Sequence, residues 1–235
     1  MLREIVLDTE TTGVDARLGD RIIEIGCVEL LNHIPTGVTR HIYLNPQRPV
    51  SAGAFAVHGL SDAFLADKPL FADVAAGLVD FLGDARLVIH NAAFDVGFLN
   101  AEYERLGPGR PKPIAMDDVV DTLALARRKH PGAGNSLDAL CSRYGIDNTR
   151  RAKHGALLDA QILAEVYIEL LGGKQADLGL VAGPSPAARG PALLGDAVLG
   201  PRPVRTRLTD AEREAHAAFI ATLGEAAVWR EYLGA

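Results

Sequence analysis

The chain has 235 residues, 48% of them hydrophobic and 23% charged, a balance that supports a packed core and excludes disorder along the whole length. Its formal net charge is −6, from 24 basic and 30 acidic residues. That argues against a protein that coats duplex DNA, because such proteins draw their affinity from neutralising phosphates. An enzyme that handles one strand end and lets bound metal ions supply positive charge stays open. No run approaches 18 uninterrupted apolar residues, so no membrane span is expected. Met1-Leu2-Arg3-Glu4 does not read as a signal peptide, and Cys27 and Cys141 read as reduced thiols of a cytoplasmic protein.

In chain order, residues 4–9 read as a buried strand around Ile5-Val6-Leu7, 21–31 as a longer strand, and 39–44 as a third. Residues 71–82 have helical periodicity and 86–90 are a short β-branched run. Further helices are expected over 94–106 (ended by Gly107-Pro108), 118–128, 136–144 and 155–171. Three leading strands, then strands alternating with helices, predict an α/β fold: a mixed sheet flanked by helices. This first domain spans 1–172. Residues 173–207 are dense in Gly and Pro and predict a flexible linker. In 208–235, Thr209-Asp210-Ala211-Glu212 fits a capping box, and His216, Phe219, Ile220 and Leu223 follow at helical spacing. Val228, Trp229, Tyr232 and Leu233 close the chain. A short helix this apolar needs a cover.

Three short patterns carry chemistry. Asp8 and Glu10 leave one face of a strand about 6–7 Å apart, and two such acids repel unless a cation joins them. Thr11-Thr12-Gly13 follows as a turn that lets backbone approach a ligand. Asp95 lies in the first turn of a helix that Asn91 can cap, where the helix dipole favours an acid anyway. His154 precedes a helix that carries Asp159. Five residues apart on one helix they would splay by about 140°, so they converge only if His154 belongs to the approach loop. Each pattern alone is also what a solvated strand end or an ordinary cap looks like. Together, four carboxylates at strand ends and helix starts would hold two hard cations such as Mg²⁺ or Mn²⁺, a set suited to phosphoryl chemistry.

Val6-Leu7-Asp8-Thr9-Glu10-Thr11-Thr12-Gly13, Val57-His58-Gly59, His90-Asn91-Ala92-Ala93-Phe94-Asp95 and His154-Gly155-Ala156-Leu157-Leu158-Asp159-Ala160 resemble the DEDDh 3′–5′ exonucleases. Asn135-Ser136-Leu137-Asp138-Ala139-Leu140-Cys141 is similar to the members that proofread for bacterial replicative polymerases. The resemblance covers about residues 1–172. It implies a ribonuclease-H-like fold, two divalent ions and release of nucleoside 5′-monophosphates from a 3′ end. It also implies roles: Asp8, Glu10 and Asp159 on metal, Asp95 helping to hold the second ion, and His154 as general base. Asp8, Thr9, Glu10, Gly13, His58 and Asp159 are then the candidate substrate contacts, with the alternative for His58 of a turn-stabilising role. One departure is Gly53, where family members often carry an acid against the terminal nucleotide.

The expected partners are a DNA 3′ end and, by the same resemblance, a polymerase catalytic subunit docked on the C-terminal helix, the alternative being that this helix packs back on its own domain; whether a small accessory subunit also binds stays open. Gln175-Ala176-Asp177-Leu178-Gly179-Leu180 resembles a degenerate sliding-clamp-binding peptide, with ordinary linker as the alternative reading. Arg127-Arg128-Lys129-His130 and Arg150-Arg151-Lys153 are local positive runs, read either as strand guides or as solvated surface. A free-standing nuclease trimming RNA and a non-catalytic adaptor are the competing expectations. The tail argues against the first, the complete acid set against the second.

Overall fold

The computed structural model describes residues 1–149, 153–173 and 209–223. The chain divides into two units, Met1–Asp177 and Leu178–Ala235.

In the first unit five strands form one mixed sheet in the order β3-β2-β1-β4-β5. β1 (Arg3–Thr11) runs antiparallel to β2 (Ile22–Leu31) and parallel to β4 (Arg86–Ile89). β3 (Ile34–Tyr43) pairs antiparallel with β2, and β5 (Val119–Asp121) parallel with β4. Side-chain alternation sends Ile5 and Leu7 of β1 to one layer, with α3 (Phe71–Leu82) and α4 (Ala92–Arg105). Val6 goes to the other, with α5 (Thr122–Lys129), α6 (Leu137–Tyr144) and α7 (Ala156–Leu171). A strand buried on both faces reads as the continuous apolar run Ile5-Val6-Leu7.

The structure corrects the sequence reading in three places. The strand expected at 39–44 begins at Ile34, because Asn32 and His33 both take positive φ (50° and 66°) and close a tight two-residue hairpin. Pro35 obscured this, and it is tolerated because β3 is an edge strand. The helix expected over 118–128 starts only at Thr122: Val119-Val120 pairs with Leu87 and Val88, and the Asp121 carboxylate caps α5 by accepting from the Leu123 and Ala124 N–H groups. Two short helices were not expected, α1 (Ala52–His58), capped by Ser51, and α2 (Asp62–Leu65), capped by Ser61. In the second unit α8 (Asp210–Thr222) carries the expected capping box: Glu212 N–H donates to Thr209 Oγ1, and Thr209 N–H to Glu212 Oε2. Gln175–Leu180 and Val228, Trp229, Tyr232 and Leu233 lie outside the described residues.

Candidate active site

The alternation that puts Val6 on the α7 side puts Asp8 and Glu10 there too, at the C-terminal end of β1. Across the antiparallel ladder Asp8 faces Gly26 and Glu10 faces Glu24. The missing side chain of Gly26 decides what comes next. A Cβ at that position would run into the backbone of Ala156 and Leu157, so the first turn of α7 rests directly on β2. That turn carries Asp159, 3% exposed.

The loop entering α7 supplies His154, and its backbone N–H donates to the Val57 carbonyl of α1 at 3.3 Å. His154 therefore does sit in an approach loop, as convergence required. Its Nδ1 lies 3.2 Å from Asp159 Oδ2. Ligand atoms of Glu10, His154 and Asp159 all fall within 4.8 Å of one another. This is the cluster that the fold assembles, with Asp8 two residues earlier on the same face.

Asp95 stands outside that cluster. It is buried on the α4 side, where its Oδ1 accepts from the Thr9 hydroxyl at 2.7 Å. Burial pushes its carboxyl up to about 7; hydrogen bonds from the Thr9 hydroxyl and from backbone oppose the rise, and the charge of Asp121 adds to it. A buried acid that resists ionising in the absence of a cation is what a metal ligand looks like before the metal arrives.

The turn after β1 is tied down by side chains. Asp20 accepts from the Thr12 hydroxyl at 3.1 Å and from the Asp15 N–H at 3.1 Å, and it pairs with Arg48. Its carboxylate fills the space that a Gly13 side chain would need. With the Thr9 hydroxyl on Asp95 and the Thr11 hydroxyl on the Gly13 carbonyl, backbone groups are what these residues can present to a phosphate. His58, 5% exposed, ends α1; its Nδ1 accepts from the Leu60 N–H, which places the proton on Nε2. Burial lowers its pKa, as do the neighbouring Lys153 and His154, against an opposing contact with the Thr11 backbone. Gly53 has open space around it.

Sequence reading missed Gly26 and the contact beside Glu10 in which the buried Glu24 Oε1 lies 2.6 Å from Nε2 of the exposed His41. A glycine inside an apolar strand was the available signal for the first, since it marks close backbone approach. Nothing local signals the second.

The chain matches the exonuclease family over residues 5–167. It is 47% identical over 236 residues to the DNA polymerase III subunit epsilon of Escherichia coli, covering 97% of each chain. To the subunit of the same name in Rickettsia felis it is 49% identical over 180 residues, covering 77% of this chain and 79% of that one. The chain belongs to the exonuclease family, among the DNA polymerase III epsilon subunits. Solved structures agree. Exonuclease X in complex with 5′ overhanging duplex DNA is 29% identical with a TM-score of 0.55, covering 72% of this chain and 90% of its own. The nuclease domain of 3′hExo, a DEDDh family member bound to rAMP, has a TM-score of 0.62 at 18% identity over 72% and 91%, a likeness of fold. The ribonuclease-H-like mixed sheet expected from sequence is the fold of this family. Divalent metal use goes with it.

Proposed function

We propose that this protein is a 3′–5′ exonuclease that removes mispaired nucleotides from DNA 3′ ends as a subunit of the replicative polymerase. The observation that carries it is the convergence of Glu10, His154 and Asp159 beside Asp8, held by the contact of α7 with Gly26. The donor set fits Mg²⁺ or Mn²⁺, since Glu10 and Asp159 bring hard carboxylate oxygens together. Asp8, Glu10, Asp95 and Asp159 would hold two such ions. When bound, the pair supplies positive charge to the phosphodiester and acidity to a water.

This chain's own residues supply the rest. Asp159 lies against Nδ1 of His154 and orients the imidazole as the base that would take the water's proton. Backbone groups of Thr9, Glu10 and Gly13 line the turn that would receive the terminal phosphate, and His58, whose Nε2 is buried without a hydrogen-bond partner among the described residues, would contact the terminal nucleotide. The product is a nucleoside 5′-monophosphate. The C-terminal helix would dock on the polymerase catalytic subunit, Gln175–Leu180 on the sliding clamp, and a small accessory subunit on the catalytic domain, all in the cytoplasm. Among the described residues no helix is long and apolar enough to cross a membrane.

A 5′-labelled single-stranded oligonucleotide tests the reading. With Mg²⁺ or Mn²⁺ it shortens one nucleotide at a time from its 3′ end, whereas EDTA, Glu10→Gln or Asp159→Ala stops it. Digestion that persists in EDTA refutes the metal-dependent chemistry.

A further inference from the structure

The site is rich in acids, and a nucleic acid strand is a polyanion. Ions held between the carboxylates neutralise only the phosphate they touch, so the next phosphates need a cation from the protein. Several basic side chains of the first unit are engaged elsewhere: Arg3 with Glu29, Arg21 with Glu102, Arg48 with Asp20, and Lys129 on the last carbonyls of α7. Lys153 adjoins the site: it immediately precedes His154 and is exposed. Its stem crosses Gly59, where a Cβ would come within 2.5 Å of Nζ. Its ammonium rests 5.5 Å from the ring centroid of Phe55 on α1. That position is close enough to His58 to depress the imidazole's pKa. Phe55 and Val57 are themselves 42% and 46% exposed. A cation and an exposed aromatic face side by side form the usual pairing for gripping single strands.

We propose that Lys153 contacts a backbone phosphate of the single-stranded 3′ end, with the Phe55 ring fixing where its ammonium rests. The proposal rests on the exonuclease reading of the neighbouring cluster and adds the residue that draws the strand onto it. Since Lys153 belongs to the loop that delivers His154, the same few residues would grip the strand and place the base.

The test uses the full chain and a fluorescent oligo-dT, with Kd measured by anisotropy in Ca²⁺ across a salt series and kcat in Mg²⁺. For Lys153→Ala, Kd at low salt rises about three- to ten-fold, and the slope of log Kd against log salt falls by about 0.7, the value for one phosphate contact on a single strand. Lys153→Arg keeps both, and kcat at saturating strand stays within about two-fold in each. An unchanged Kd and salt slope in Lys153→Ala overturns the contact. A fall in kcat at unchanged Kd overturns it too, because Lys153 then only braces the His154 loop. Wild-type protein that neither binds nor shortens the strand would instead refute the exonuclease reading itself.

Discussion

Two ionisable side chains, both tied to neighbours, sit at the centre of the chemistry. His154 has a side chain 45% exposed, and Nδ1 is held by the buried Asp159. That contact orients the imidazole, the arrangement of a positioned base. His154→Ala should therefore lower kcat by roughly 10²–10⁴-fold, the range for a general base, while Mn²⁺ affinity by calorimetry holds. The same imidazole lies within 4.8 Å of Glu10 and Asp159 ligand atoms. If the variant instead loses metal affinity and keeps kcat at saturating metal, His154 is a ligand. Asp95 makes a prediction about pH. Its carboxyl titrates near 7 in the folded protein against 3.8 ordinarily, so the folded state keeps a proton that the unfolded chain has already lost. The stability from that proton is complete below about pH 4 and is lost as pH rises towards 7. In EDTA, the melting temperature of wild type should fall between pH 5 and 8 relative to Asp95→Asn. Parallel profiles for the two proteins would show that the Asp95 carboxyl titrates as an ordinary acid.

At the scale of elements the site depends on how closely α7 approaches the sheet. Gly26→Ala sets a methyl against the Ala156 and Leu157 backbone, which can only shift the helix bodily. Overpacking of this kind costs about 1–3 kcal/mol, and the shift moves Asp159 away from Glu10. The variant should melt several degrees lower and lose Mn²⁺ affinity and nuclease activity out of proportion to its stability. Gly97→Ala on α4, where nothing lies within 4 Å, is the control and should be neutral or slightly stabilising. Most elements were legible because their signals are local: the apolar run of β1, the helical period of α3, the Ser136 cap of α6. The Ile34 start of β3, the strand at Val119–Asp121 and the helices at 52–65 were not. Their identity comes from pairing across the sheet or from a single capped turn, which a residue's sequence neighbours do not report. The site divides the same way. Its acids and histidine were legible as spaced motifs, whereas the glycine that lets them meet and the Thr9–Asp95 bond depend on what lies across a strand.

At the scale of the whole molecule, the candidate catalytic residues Asp8, Glu10, Asp95, His154 and Asp159 all fall within the unit Met1–Asp177. That unit holds both apolar cores through Leu170, so the catalytic machinery has what it needs to fold without the tail. The second unit has a different composition of surface. α8 presents Phe219 at 61% and Leu223 at 47% exposure while burying Ile220, and exposed aromatic and aliphatic anchors on a well-capped helix are what a helix-binding partner reads. A protein ending at residue 173 is therefore expected to shorten single strands at the wild-type rate and to lose the polymerase. Phe219→Ala in the full chain should weaken that capture without touching the nuclease. A pull-down of the replicative polymerase by both proteins, beside a single-strand assay of each, separates the two functions. If the truncated protein captures polymerase with unchanged affinity, the docking surface lies on the catalytic unit and α8 has another purpose. If it loses nuclease activity instead, the tail supports the fold of the first unit. Holding the exonuclease at the primer end raises its effective concentration there without improving its affinity for DNA. Truncation should accordingly cost little on free strands and much on mismatches that the polymerase has just made.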